Sequence, residues 1–353
     1  MSAEFLPDPT PTPAYGGSAL HPVPEARRLF LFRRPRQLEP HPLHPEIMRW
    51  NPSAERAAAV VRGFLRTAGA YSGDFPEVHI LDTHPDASAM AEEFEANGIT
   101  SEDGVAVVGG DGTHSDANEA ARLAGFKGSM LAIAAGNACD LTHMLLRHPH
   151  IKDPARAVME SRQAKLYPLR VAIGSLVLNS EAYFSAGEAT YQVGREVADP
   201  VWRARTENMH SVERFRQETL MTKRKLPDAR RQPLWLEDNR GRRLISDVIF
   251  PNGWRMAKQI RFSGVKLLEP GYGRLELPKA TVASVLTTFG KAGIGAFERC
   301  EADKTYECTV SSIDGSPVHA QRDGEIFEFP SGSTLTVGVQ EDYTNQATTR
   351  RTA

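Results

Sequence analysis

Five neighbouring residues carry the densest chemical signal in this chain: Gly109, Gly110, Asp111, Gly112 and Thr113, entered from the apolar run at 105–108. Three positions without a Cβ let backbone N–H groups approach phosphate oxygens, and a helix beginning there adds partial positive charge. Asp111 is placed to orient a metal-bound phosphate or an attacking hydroxyl, and Thr113 offers its own hydroxyl to a phosphate or a helix cap. The plain alternative is a tight strand-to-helix turn with a structural Asp. Far downstream, Asp323, Gly324 and Glu325 set two carboxylates two residues apart. Taken alone, that Asp-Gly step reads as a hairpin turn.

Regular elements must position these groups. Residues 28–33 read as a short buried strand, and Ser53 reads as the cap of a helix from 54 to about 67, since Ala58, Val61, Phe64 and Leu65 share a face. A strand at 78–81 follows, then a helix capped by Asp86 with Met90, Ala91 and Phe94 on one side, then a strand at 105–108. Strands alternating with helices imply parallel βαβ units, so residues 25–150 predict an α/β nucleotide-binding domain. Pro40 to Pro45 reads as loop. The second half offers short strand candidates at 233–236, 247–250, 274–277, 306–310 and 335–339, with turn signals at Asp238 to Gly241 and at Asp314-Gly315. Helices are expected at about 204–223 and 279–289. Many short strands with few helices predict an antiparallel β-sandwich over 151–341. Residues 1–24, with Pro7, Pro9, Pro11, Pro13, Pro22 and Pro24, predict an extended mobile arm, and the polar residues 342–353 a frayed tail.

Composition bounds the function. The 353 residues carry 42 Lys+Arg against 44 Asp+Glu, a net charge of −2, which excludes nucleic-acid binding through bulk positive charge. Hydrophobic residues at 41% and charged ones at 24% are globular values and exclude a largely disordered chain. No apolar run reaches the ~18–20 residues of a membrane span. Cys139, Cys300 and Cys308 are too few and too odd in number for a disulfide framework, and no export signal is visible, so a cytoplasmic location is expected. The histidines, including the His148–His150 pair, show no metal-ligand spacing. Lys223 to Lys225, Arg230-Arg231 and Arg240 to Arg243 are candidates for peripheral contact with anionic lipid headgroups, against the blander reading of a solvated face.

The string at 109–113 resembles the nucleotide-binding motif of the diacylglycerol kinase catalytic domain family, shared with sphingosine kinases and bacterial lipid kinases; NAD kinases carry a similar string. The resemblance continues downstream. Residues 135–140 are similar to the family's Gly-Thr-Gly-Asn-Asp segment, with Gly136 and Asp140 retained. Phe184 to Gly187 is loosely similar to its Phe-x-x-x-Gly segment, Asn252-Gly253 to its Asn-Gly pair, and Glu269 to Glu276 stands in place of Asp-Gly-Leu-Leu-Asp. Asp323 to Glu325 matches its Asp-Gly-Glu and favours the lipid kinases over the NAD kinases.

The resemblance implies a two-domain protein that transfers the ATP γ-phosphate to the hydroxyl of a lipid such as diacylglycerol, with Mg²⁺ neutralising phosphate charge. It implies that Gly109, Gly110, Gly112 and Thr113 hold phosphates, and that Asp111 and Asp116 assist metal or nucleotide placement. Thr83 is expected near the nucleotide, Gly136, Asn137 and Asp140 in the acceptor region, Asp323 as the base, and Glu325 beside it. An interdomain cleft would bring the two ends together. The rival readings are an NAD kinase-like enzyme and a non-catalytic nucleotide- or lipid-binding protein of the same fold. The oligomeric state is not legible.

Departures from the pattern matter as much. Ser115-Asp116 replaces the family's Asn-Glu, with Asn118-Glu119 one helical turn further as an alternative carboxylate. Cys139 stands in place of Asn and Asn137 in place of Thr; Arg34-Pro35 and Leu169-Arg170 replace further family residues. These changes fall on nucleotide and acceptor contacts, so altered or absent turnover is among the expectations. Cys139 itself reads as a small buried hydrophobe.

Overall fold

The computed structural model describes residues 26–350, apart from 72, 74, 85, 137–138, 207–208 and 257–259. The expected proline arm, 1–24, lies outside the described residues.

The N-terminal half is built on a six-stranded sheet in the order Glu77–Asp82, Arg28–Arg33, Gly104–Gly109, Ser129–Ala134, Thr344–Thr348, Arg162–Leu166. All neighbours pair in parallel except the last pair. Alternation along the central strands divides their side chains between two cores. Leu29, Leu31, Ala106 and Val108 meet Ala57, Val61 and Phe64 of the helix Pro52–Ala68. Phe30, Phe32, Val105 and Val107 meet Met90 and Phe94 of the helix Ala87–Ala96 and Ala117, Ala120 and Ala121 of the helix Asp111–Leu123. Helices on both faces explain why these strands read as continuous apolar runs.

This arrangement creates a topological switch point. From Arg28–Arg33 the chain turns outward to Glu77–Asp82, and from Gly104–Gly109 it turns the other way to Ser129–Ala134. The two connecting helices lie on opposite faces, and in open α/β sheets ligands bind at such a switch point, here outside the carboxyl ends of Arg28–Arg33 and Gly104–Gly109. Gly110 stands at that edge.

The C-terminal half packs two six-stranded antiparallel sheets. Phe184, Ala186, Val248, Phe250, Val318 and Ala320 from one face Leu169, Val171, Leu236, Val310, Leu335 and Val337 from the other. The architecture is the α/β domain plus antiparallel sandwich expected from the element pattern.

Several local expectations need correction. The tail does not fray across 344–348: Thr344–Thr348 is a buried strand of the first sheet. Its polar side chains are absorbed by Gln346 Nε2 donating to Asn118 Oδ1 and Thr348 Oγ1 donating to the Leu145 carbonyl, so polarity gave no sign of burial. Arg162–Leu166 likewise belongs to this sheet, and the boundary at 150 cuts across the N-terminal unit. The residues from Pro40 to Pro45 are the turn and flanks of a hairpin, Leu38–His41 with His44–Trp50. Asn51, rather than Ser53, caps the next helix, accepting the N–H groups of Ser53 and Ala54 with Pro52 in its first turn. The helix expected at 204–223 is two helices, Pro200–Thr206 and Ser211–Ala229.

Within the run Arg240 to Arg243, Arg240 and Arg242 are exposed and Arg243 is partly buried. Arg243 pairs with Asp238 at 2.7 Å and Glu276 at 2.5 Å, and Arg240 with Glu298 at 2.7 Å. Lys225 pairs with Glu196 at 2.9 Å. Lys223, Arg224, Arg230 and Arg231 are exposed as well.

Candidate functional site

The glycine string folds as strand end, cap and first helical turn. Gly109 ends its strand, Gly110 caps the helix with an extended backbone, and Asp111, Gly112 and Thr113 open it. Close packing explains the missing side chains. A Cβ on Gly109 would lie 2.6 Å from the Thr113 Cβ, and one on Gly136 only 2.4 Å from the Gly110 Cα. The Ala135 and Gly136 N–H groups both donate to the Gly109 carbonyl, at 2.9 and 3.0 Å. Two loops at the carboxyl edge are thus locked back to back, backbone on backbone.

Asp111 fixes the second of these loops. Its Oδ1 accepts the Leu141 N–H at 2.9 Å, capping the helix Asp140–Leu145. Asp140 is buried and pairs with Arg255 at 2.7 Å. Burial first, and the nearby Asp140 second, push the Asp111 carboxyl up to about 7. Cys139 takes a left-handed backbone, and its Sγ accepts the Gly136 N–H at 3.2 Å. Burial and Asp111 push this thiol up to about 12, so it is a packed thiol as expected and not a nucleophile. Asn137 lies outside the described residues.

The second domain reaches this helix through the hairpin Val318–Arg322/Glu325–Phe329. Its two-residue turn, Asp323 at φ 47° and Gly324 at φ 93°, has both central residues in the left-handed region, as a tight hairpin requires. Asp323 is therefore a turn residue and a junction residue together. Its carboxylate accepts Ser115 Oγ at 2.6 Å, Ser180 Oγ at 3.0 Å, and the successive N–H groups of Glu181, Ala182 and Tyr183 at 2.8, 2.9 and 3.0 Å. An ionised carboxylate has about four lone-pair sites. Five donors saturate it in this structure, which makes Asp323 the pin between domains.

Glu325, two residues on, is in a different situation. It lies nearly half exposed, pairs with Arg322 at 2.5 Å, and its Oε1 stands 3.6 Å from where a Gly112 Cβ would be. Asp116, one turn along the same helix, is partly buried, with Arg322 Nη2 at 4.0 Å. Burial first and Glu325 second push its carboxyl up to about 7, against the opposing pull of Arg322. Glu119, the alternative carboxylate, is committed to Arg122 at 2.7 Å and to Asn179 at 2.9 Å. Asp116 is the available one.

Other expected residues fall at or near this edge. Thr83 follows Glu77–Asp82, its N–H donating to the Arg33 carbonyl at 2.7 Å, with the strand Arg28–Arg33 between it and the glycine string. Asn252 donates to the Tyr167 and Glu181 carbonyls at 2.8 and 3.0 Å, bracing the loop that grips Asp323. The residues missed by sequence reasoning are Ser180, Glu181, Arg122, Arg255 and Arg322. Arg122 and Glu181 form an ion pair at 2.9 Å, with side chains 5% and 2% exposed, between partners 59 positions apart. No local pattern announces such a pair.

Among the described residues no three His, Cys, Asp or Glu side chains converge as metal ligands. Mg²⁺ commonly takes only one or two carboxylates, completing its shell with water and substrate phosphates. Asp111, raised first by burial and second by Asp140, is one carboxylate at the edge that could serve in this way.

No protein-family model and no curated protein sequence matches this chain. Solved structures do match in fold. One is described as "a putative diacylglycerol kinase from Bacillus anthracis str. Sterne", with TM-score 0.58 and 13% identity over 93% of this chain and 100% of the other. Two further structures bearing diacylglycerol kinase descriptions, from the same organism, give TM-scores of 0.55 and 0.57 at 12% identity, each over 92% of this chain and 97% of theirs. The chain has the two-domain fold of these bacterial proteins, as the motif resemblance led one to expect. Among the described residues no helix is long and apolar enough to cross a membrane.

Proposed function

We propose that this chain binds ATP at the switch point of the sheet and transfers its γ-phosphate to the hydroxyl of a lipid acceptor. One observation carries the reading: a helix N-terminus opened by Gly110 and Gly112 lies at that edge, with a carboxylate of the second domain, Glu325, set 3.6 Å from the Gly112 Cβ position. The first end suits phosphate oxygens through backbone N–H groups and helix partial charge. The second supplies carboxylates beside where an acceptor hydroxyl would approach.

Phosphoryl transfer asks mainly for positioning and charge neutralisation. The Gly110–Gly136 contact would hold the cradle rigid, and Thr113, folded against Gly109, would keep the first turn closed. Asp111 would hold Mg²⁺ together with nucleotide phosphates, and that ion would offset the charge developing on the transferred group. Asp116 would accept the acceptor's proton, since a carboxyl near 7 is matched to that task around neutral pH. Glu325 would tune Asp116 by its charge, while Arg322 would hold Glu325 in place. Asp323 would position this pair from behind, through its hairpin.

The test is a titration with ATP, with and without Mg²⁺, followed by turnover assays on diacylglycerol and on NAD. Nucleotide binding with phosphorylated lipid product is expected. Product from NAD alone would transfer the chain to the NAD kinase reading, and binding without turnover on any acceptor would leave a non-catalytic nucleotide-binding protein.

A further inference from the structure

The carboxyl edge of the parallel sheet does not end at the glycine string. Ser129–Ala134 and Thr344–Thr348 run parallel to each other, so the chain leaves both of them on that edge, with Asp140 and His143 beyond the first strand and Arg350 beyond the second. A short ribbon of the second domain, Arg255–Met256 paired with Ile260–Arg261, comes down onto the same place. Arg255 and Arg261 are direct cross-strand partners in it. Arg255 pairs with Asp140 at 2.7 Å, and Arg350 Nη2 donates to the His143 carbonyl at 2.9 Å. Trp254 is shared by two cations, with the guanidinium carbons of Arg261 and Arg350 at 5.2 and 5.1 Å from its ring centroid.

Bringing three guanidinium groups together is unfavourable in itself. Like charges set directly opposite in a ribbon repel, and Trp254 holds two of these cations against a single ring. The surroundings register this. Arg350 is held below its ordinary value by burial and then by Arg147, Arg255 and Arg261. Burial, Arg255, Arg350 and Arg261 together push His143 down to about 4, so it stays neutral and adds no charge near pH 7. The Asp140 carboxylate faces the cluster through Arg255.

We infer that Arg255, Arg261 and Arg350 form an anion subsite for a phosphate-class group, standing beside the Asp111–Asp140 pair on the acceptor side of the carboxyl edge. Planar guanidinium forks suit phosphate oxygens and give paired hydrogen bonds that an ammonium does not. Assigning this anion to the acceptor rests on the kinase reading, and it narrows the acceptor to a molecule that already carries a phosphate ester. That ester belongs either to an anionic lipid headgroup or to a soluble phosphorylated hydroxy compound. Binding of phosphate itself does not depend on the kinase reading.

The experiment uses the full chain, the variants Arg261→Gln, Arg350→Gln and their combination, with inorganic phosphate as probe by calorimetry and ATP as the second titrant. The double variant is expected to lose about tenfold or more in phosphate affinity, the loss of one or two charge-assisted bonds, while binding ATP as before. Retained ATP binding also reports a folded chain. Equal phosphate binding in wild type and double variant overturns the subsite, as does a parallel loss of ATP affinity, which would merge the arginines with the nucleotide site. Phosphate binding intact in a wild type that binds no ATP would sink the kinase reading and leave the subsite standing. Flotation with phosphatidylcholine vesicles, with and without phosphatidylglycerol, separates the sources. A preference for the anionic vesicles that the double variant loses identifies a lipid headgroup; phosphate binding with no such preference identifies a soluble phosphate ester.

Discussion

Ser115, on the helix that leaves the glycine string, donates its hydroxyl to Asp323 Oδ2 at 2.6 Å, joining residues 208 positions apart across the domain junction. Asp323 spends its remaining acceptor capacity on Ser180 and the three N–H groups of residues 181–183. The domains are therefore pinned at a point one turn from Gly112, and the spacing of Glu325 from the glycine string follows from that pin.

Two substitutions test the pin against each other. Ser115→Ala removes one donor to a charged group, and about 1.5–3 kcal/mol of stability is expected to go with it. Asp323→Asn turns one acceptor into a donor facing backbone N–H groups, and its cost is expected to exceed that of Ser115→Ala. Urea unfolding of both variants reads the order. Two small and equal losses would show that the junction is held elsewhere.

Gly136→Ala tests the locked loops. The added Cβ would sit 2.4 Å from the Gly110 Cα and 2.9 Å from its nitrogen, so one loop must shift. ATP affinity is expected to drop at least about tenfold, since cradle donors are useful only in register. Gly290→Ala is the control: nothing lies within 4 Å of its Cβ position, and this helical site is expected to gain about 0.4–1 kcal/mol with unchanged ATP binding. Undiminished affinity in Gly136→Ala would separate the loop contact from nucleotide binding.

The extent to which the sequence disclosed this site differs residue by residue. Gly109 to Thr113 were legible because a strand, a cap and a helix start succeed one another within the string. Asp323-Gly324 was legible as a turn for the same local reason, while its saturation by five donors was not, because they come from residues 115 and 180–183. The tail strand Thr344–Thr348 was hidden because its buried side chains are polar and find partners, Asn118 and the Leu145 carbonyl, that only the folded sheet supplies. Arg255 and Arg261 showed no periodicity, lying in strands of two residues each. Local pattern reveals what neighbours in the chain decide; long-range pairing decides the rest.

His114 gives the fold a pH dependence of defined sign. It is buried beneath the glycine string, its ring Nε2 3.1 Å from the Val107 carbonyl, and burial pushes it down to about 4. An unfolded histidine titrates near ~6.5. As pH falls below that value the unfolded chain takes up a proton that the folded chain refuses, so stability is lost progressively down to about pH 4. Between pH ~7.5 and ~5 this one group is expected to remove on the order of 2 kcal/mol. His114→Gln should flatten that part of the profile in urea titrations at the two pH values. An unchanged slope would assign the acid sensitivity to other groups, His143 first among them.

Turnover should carry the signature of Asp116. With this residue as the base, kcat/KM for the lipid acceptor is expected to rise with pH through an apparent pKa of about 7, as the carboxyl loses its proton. Glu325 raises that value by its charge and also occupies Arg322, which otherwise pulls it down. Glu325→Gln removes the first effect and frees Arg322 for Asp116, so both changes move the acid limb to lower pH, by about one unit. Asp116→Asn is expected to lower kcat about a hundredfold or more and to abolish the limb, with ATP affinity retained. A limb that stays in place in Glu325→Gln would disconnect these two carboxylates. A limb that survives in Asp116→Asn would move the base elsewhere, Glu325 being the remaining exposed carboxylate beside Gly112.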